Sequence, residues 1–352
     1  GNAKTNLQWQ PSSPHHHNGL PTKLVQCGDL VHRGPDDIDV MDLFMRLRNE
    51  AAAASPSGSN GSQVVLLLGN HEEMMGWGNT DCADGSMRQY MQAATPNMET
   101  AATSVTLEMF GRAMQELMAP GTKYGDFIRS MPVAHLDGRT IFNHAGLDPM
   151  WVNVKGATTP AERVEALNAE AAREWTISQR SKRGTERVLA DPVWNRCIYA
   201  GAKSGEDTAD LEKTLSLLDA DRMVVGHTPY QDQIASYANG KLVAIDIAMS
   251  CGMKDNAPEA LEILVDADGV GQMSHAIMAD GHRRELSHAD ASPSVGKKVA
   301  KPAKSSSTVN KKKGTKLTTA AAARVKAAAV KSRPANHKKK AAAAAKGKKA
   351  SK

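Results

Sequence analysis

Four short polar signatures bring together residue types that could do chemistry. They are Gly28-Asp29 with Arg33-Gly34, Gly69-Asn70-His71-Glu72, Asn143-His144-Ala145-Gly146 and Gly226-His227-Thr228. Asp, Asn and His suit a divalent transition metal, Arg suits a phosphate group, and Gly lets backbone approach a ligand closely. Within the first signature, "CGDLVHRGPDD", His32 places an imidazole between Asp29 and Arg33. Cys27, Cys82, Cys197 and Cys251 are widely spaced and form no CxxC pair. That pattern argues against a disulfide framework or zinc knuckle and for buried reduced thiols in a cell interior.

These residues need elements to position them, and each signature follows a run that reads as a strand. Residues 24–27 form a short strand. The continuous apolar run "QVVLLL" (63–68) is the pattern of a strand buried on both faces. "MPVAHLDGRTIFNHAG" (131–146) reads as a hairpin across Asp137-Gly138, and "QIASYANGKLVAIDI" (233–247) as a second across Asn239-Gly240. "DRMVVGHTP" (221–229) is a strand ending in a Gly-His turn, and "LEILVDADGVG" (261–271) reads as the last strand of the body. Helical patterns occupy 36–50, 85–94, 101–118 and 160–180, while "AAAASPSGSNGS" (51–62) reads as a surface insertion. Asp148-Pro149 and "DADG" (266–269) read as turns, the latter lacking the downstream Glu of a calcium loop. The order strand–helix–strand, then helices, then hairpins indicates a mixed α/β core, and there is no internal repeat. Loops at strand ends are where such proteins assemble sites.

Packing roles are expected for the 17 Met and for Trp77, Trp151, Trp175 and Trp194, with Trp194 placed to line a cleft beside Asn195-Arg196. His135 reads as a satisfied structural histidine, and His15–His17 as part of a solvated loop. No apolar run approaches the length of a membrane span. Charge is divided along the chain. From Gly296 onward there are 19 Lys/Arg and no Asp or Glu, leaving 25 basic against 38 acidic residues before it, a net of −13. The Lys/Ala-rich stretch is expected to be disordered and solvated, with nucleic acid, a nuclear address or an acidic partner as its candidate interactions.

All four signatures, in this order and each after a strand, resemble the motifs of calcineurin-like metallophosphoesterases of the phosphoprotein phosphatase superfamily. "LVQCGDLVHRGPDD", "LLLGNHEEM", "FNHAGLDP", "PVWNRCIYA" and "VVGHTPY" are most similar to the Shewanella-like protein phosphatases, a branch of plants, protists and fungi. The likeness covers residues 20–270. It implies a sandwich of two mixed β-sheets flanked by helices. It also implies a domain over 23–290, preceded by a loop at 1–22 and followed by a tail at 291–352. Two divalent ions of the Mn, Fe or Zn type, about 3.5–4 Å apart, would hold a hydroxide for in-line attack on a phosphomonoester. Asp29 would bridge them, and Asn70, His144 and His227 would complete the second ion's shell. Arg33, Arg196 and Asn70 would bind the phosphate, and His71 would protonate the leaving oxygen. The substrates implied are phosphorylated proteins or small phosphoesters, in the cytoplasm or nucleus. A non-catalytic phospho-ligand binder and a dinucleoside polyphosphate hydrolase remain as alternatives.

Two departures stand out. The family's opening GDxHG motif has no counterpart, since no Asp or Glu precedes Asp29. The expectation is that the natural protein continues upstream of Gly1, and that the present chain lacks a core strand, holds the first ion poorly and turns over slowly. The second is His32, which stands where the family has an Asp that orients the general-acid imidazole. A neutral His32 could orient His71 by accepting a hydrogen bond, yet brings no charge to raise its pKa.

Overall fold

The computed structural model describes residues 7–9, 22–54, 62–94, 106–178, 192–229, 231–265 and 272–286. Strand β1 (Lys23–Gln26) pairs in parallel with β2 (Gln63–Leu66), as Leu24 opposite Val64 and Gln26 opposite Leu66. The helix between them, α1 (Asp37–Ala53), carries Asp37 and Asp39 in its first turn, where they complement the helix dipole. It runs three residues further than the sequence pattern suggests. Ala51 is fully buried, so the start of the expected insertion is helix.

A five-stranded mixed sheet follows. Strands β3 (Ala134–Asp137) and β4 (Thr140–Asn143) form the hairpin at Gly138. β5 (Arg222–Val225) joins β4 in parallel, β7 (Leu242–Ala244) joins β5 in parallel, and β6 (Ala235–Tyr237) closes the edge antiparallel to β7. The expected last strand is not the last. β8 (Glu259–Val265) is followed by β9 (Gln272–Met278) and β10 (Arg283–Glu285) in an antiparallel three-stranded sheet.

Side-chain alternation explains how these layers pack. Val64, Leu66 and Leu68 point into one apolar cluster with Met223, Val225, Leu242 and the helices. Val65 and Leu67 point into a second, with Val224, Val243 and Ala276 of β9. The run "QVVLLL" is therefore buried on both faces, as a period of two requires.

The helices α2 (Asn70–Gly76), α3 (Met87–Ala94), α4 (Leu107–Leu117), α5 (Lys123–Arg129), α6 (Pro149–Val152), α7 (Pro160–Ser178), α8 (Cys197–Ser204) and α9 (Ala209–Leu217) complete the described elements, with a 3-10 turn at Asp84–Ser86. α4 begins at Leu107 because the Thr106 hydroxyl accepts from Met109 N at 3.2 Å and caps it. Asp148 is more than a turn residue, since its carboxylate accepts from Met150 N and caps α6.

Other expectations are corrected. Cys27 is buried, but Cys197 and Cys251 are exposed, and Trp77 is 38% exposed. The buried Nε2 of His135 has no hydrogen-bond partner. His15–His17, "DADG" and the Lys/Ala-rich stretch lie outside the described residues. No described helix is long and apolar enough to cross a membrane.

Candidate active site

The four signatures leave the C-terminal ends of β1, β2, β4 and β5. Tight backbone packing brings them together. Gly28 has φ 87°, and a Cβ there would meet His144 Nδ1 at 2.6 Å and the Gly69 backbone at 2.7 Å, so only glycine fits. Gly226 N donates to His144 O at 2.8 Å, joining the third and fourth loops. Asp29 (φ 57°), His32 (φ 75°), Arg33 (φ 62°) and His227 (φ 63°) all adopt the left-handed conformation that side chains disfavour. Such strain persists only where surrounding contacts enforce it.

Donor atoms converge at the centre. Asn70 Oδ1 lies 3.0 Å from His144 Nε2 and 2.8 Å from His227 Nδ1. His144 Nε2 lies 3.1 Å from His227 Nδ1 and 3.3 Å from Asp29 Oδ1. The ligand atoms of Asp29, His144 and His227 all fall within 4.8 Å of one another. His144 Nδ1 donates to Cys27 O at 2.6 Å, which turns the Nε2 lone pair inward. A proton on His227 Nδ1 would satisfy some of these contacts, but a cation satisfies all four donors together. The residues therefore fit a divalent metal, and Asp29, Asn70, His144 and His227 are the side chains that would hold it.

Electrostatics agree. Burial pushes the Asp29 carboxyl up to about 6, against the lowering influence of His71. Burial, and then the Asp29 charge, pushes Glu72 up to about 7. Two crowded carboxylates, Glu72 fully buried and Asp29 half-buried, are what a cation neutralises. Burial also keeps the imidazoles neutral, as metal ligation requires. It lowers His144 and, joined by the charge of His144, holds His227 at about 2.

His71 sits beside this cluster. Its backbone N donates to Asp29 Oδ1 at 3.1 Å, and its Nε2 lies 3.9 Å from Asp29 Oδ2. His32 Nδ1 is 2.9 Å from His71 Nδ1, with the rings edge to face. Burial, then His71 and Arg33, lowers His32 to about 3, so it meets His71 uncharged. His71 is itself lowered, chiefly by burial and against the pull of Asp29. Arg33 is exposed, and its charge acts on His32 and His71. Arg196 Nη1 donates to His227 O at 3.0 Å and Thr228 Oγ1 at 3.2 Å.

Sequence reasoning missed several participants. Glu72, fully buried, accepts from Asp29 N (2.9 Å), Leu30 N (2.7 Å), Val31 N (3.3 Å) and Gly69 N (2.8 Å). It organises the first loop, and its position three residues after Gly69 is the capping-box spacing that could have revealed it. Asp246 lies two residues past the end of β7, just after the point where Val225 pairs with Ala244 and Ile245 N donates to Val225 O. Its charge acts on Asp29 and His144. Cys27 and Arg33 also stand in the C-x5-R spacing of phosphatases that use a cysteine nucleophile. Cys27 is 4% exposed and burial pushes its thiol to about 12, so it offers no thiolate.

Residues 15–231 match the family model for calcineurin-like phosphoesterases, Metallophos. An uncharacterized protein of Schizosaccharomyces pombe is 28% identical over 251 residues, covering 68% of this chain and 65% of the relative. Shewanella-like protein phosphatase 2 of Arabidopsis thaliana is 24% identical over 279 residues, covering 71% and 68%. The chain thus spans about two thirds of the length of these relatives. Among solved structures, the cold-active protein-tyrosine phosphatase of a psychrophilic Shewanella species shares the fold, with a TM-score of 0.55, 21% identity, and coverage of 75% of this chain and 69% of that one. The chain belongs to the calcineurin-like phosphoesterase family.

Proposed function

From this family membership we propose that the protein is a metal-dependent phosphatase that hydrolyses phosphomonoesters on phosphoproteins. Its working domain would be residues 23–290. The observation that carries the reading is the convergence of Asp29, Asn70, His144 and His227, with the His71 imidazole beside them and Arg196 held against His227. A divalent ion bound there supplies Lewis-acid polarisation of the phosphoryl oxygens and a nucleophile at neutral pH. A two-ion centre is the fuller form of the proposal, and Asp29 is the residue that would serve both ions.

The chain's own residues do the rest. Arg33 and Arg196 offer planar guanidinium forks to the phosphate oxygens, and Arg196 is pre-positioned by its two hydrogen bonds. His71 delivers a proton to the leaving oxygen from Nε2 while His32 holds its other nitrogen, Nδ1. Glu72 keeps Asp29 in place through the backbone of its loop. The relatives named as protein phosphatases support a phosphoprotein substrate.

The test is hydrolysis with added Mn2+ of a phosphotyrosine peptide, a phosphoserine peptide and a dinucleoside tetraphosphate, each repeated with EDTA. Metal-dependent release of phosphate from either peptide is the expected result. Turnover of the dinucleotide alone, or turnover indifferent to EDTA, would sink the proposal.

A further inference from the structure

The five residues Pro192–Arg196 touch three of the four site loops. Pro192 O accepts from Ala145 N at 3.2 Å, next to His144. Trp194 Nε1 donates to Glu73 Oε2 at 2.6 Å, a bond between residues 121 apart that reaches the helix carrying Asn70 and His71. Arg196 grips His227 O and Thr228 Oγ1. The Trp194 ring meets the His227 imidazole edge to face, with centroids 6.2 Å apart and planes at 81°.

We propose that this turn is the positioning element of the metal centre, with the Trp194–Glu73 hydrogen bond setting where His227 Nδ1 and the Arg196 guanidinium point. Three observations carry it. His227 is held in a left-handed conformation, which relaxes unless something enforces it. The turn supplies that enforcement from both sides, by the Trp194 ring on the imidazole and by Arg196 on the backbone. Glu73 is 2% exposed, so its carboxylate gives the indole a charge-assisted anchor that water does not loosen. Trp194 and Glu73 are positioning residues, acting through His227 and Arg196. The inference rests on the metal-centre reading above.

Mn2+ titration calorimetry on the full chain separates the two. The unaltered chain binds Mn2+ and His227→Ala weakens that binding, as the metal-centre reading requires. Trp194→Phe, which keeps a ring and removes the N–H, weakens Mn2+ binding by about 10–100-fold, the usual cost of losing a group that orients a ligand. Glu73→Leu does the same, and the double variant is no weaker than the weaker single, because the two act as one pair. Glu73→Gln retains an acceptor but not the charge, and its affinity falls between those of the parent and Glu73→Leu. Leu67→Ala, destabilised in the core, keeps its Mn2+ affinity, which a merely structural role for Trp194 could not explain. Should Trp194→Phe fail to fold, Glu73→Leu carries the same expectation. Unchanged affinity in a folded Trp194→Phe or Glu73→Leu overturns the positioning role. Absence of Mn2+ binding by the unaltered chain overturns the metal-centre reading itself.

Discussion

The strands and the loops that leave them solve opposite problems. β2 and β5 are apolar on both faces and sit in two clusters with extended backbone throughout. Two to six residues beyond their ends, Asn70, His71, Glu72 and His227 are just as buried but are polar, and His227 is left-handed. The same depth in the protein thus holds side chains that burial favours and side chains that burial penalises. The difference teaches where stability is generated and where it is spent on geometry.

Exchanging one residue in each region sharpens that contrast. The largest effect belongs to Asp29→Asn, which removes the carboxylate among the candidate ligands. Peptide-phosphatase turnover should fall by about 10³-fold or more, while the metal-free protein gains stability because a buried charge beside Glu72 is gone. A phosphate-release assay and a urea melt with EDTA report the two halves, and a loss of both would break the contrast. Next is Leu67→Ala, fully buried in the second cluster. It should cost about 2–5 kcal/mol in urea unfolding with little change in Mn2+ affinity. A parallel loss of affinity would show that the strand and loop are not separable.

His32→Asp comes third. A carboxylate facing His71 raises the imidazole's pKa and strengthens it as an acid. Turnover should rise by about 10-fold, part of the usual general-acid contribution, with the optimum displaced to higher pH. An unchanged pH–rate profile would remove the orienting role from position 32. The smallest effect is at His135, whose pKa burial lowers from 6.5. A histidine depressed in the folded state contributes stability that is present above its unfolded pKa and lost as pH falls through its folded one. His135→Leu should therefore narrow the loss of urea stability on going from neutral pH to below 6.5. An equal loss in both proteins would show that this ring is not an acid liability.

Much of this organisation was legible in the sequence. Strands β1, β2, β4 and β5 and the loops behind them stand out because doubly buried strands and Gly-flanked polar turns have strong local signatures. The short helices α5, α8 and α9 do not, since seven to nine residues give too few turns for a periodic stripe. β9 and β10 were hidden by the reading of 261–271 as a final strand. Glu72 was masked by its neighbour His71, whose chemistry attracts attention, although its own work is backbone organisation. Asp246 required the β5–β7 register, a long-range pairing that no local pattern encodes.

The left-handed backbone at His32, φ 75°, has a consequence for how this position can change over time. Asp, Asn and His are the side chains that enter this conformation most readily, and β-branched or bulky ones are the outliers. An exchange between His and Asp therefore leaves the loop's path undisturbed, and Asp29 and Arg33 on either side stay where they are. The fold permits traffic between a charged and an uncharged partner for His71 at almost no conformational toll, so the proton-transfer step can be retuned without rebuilding the site.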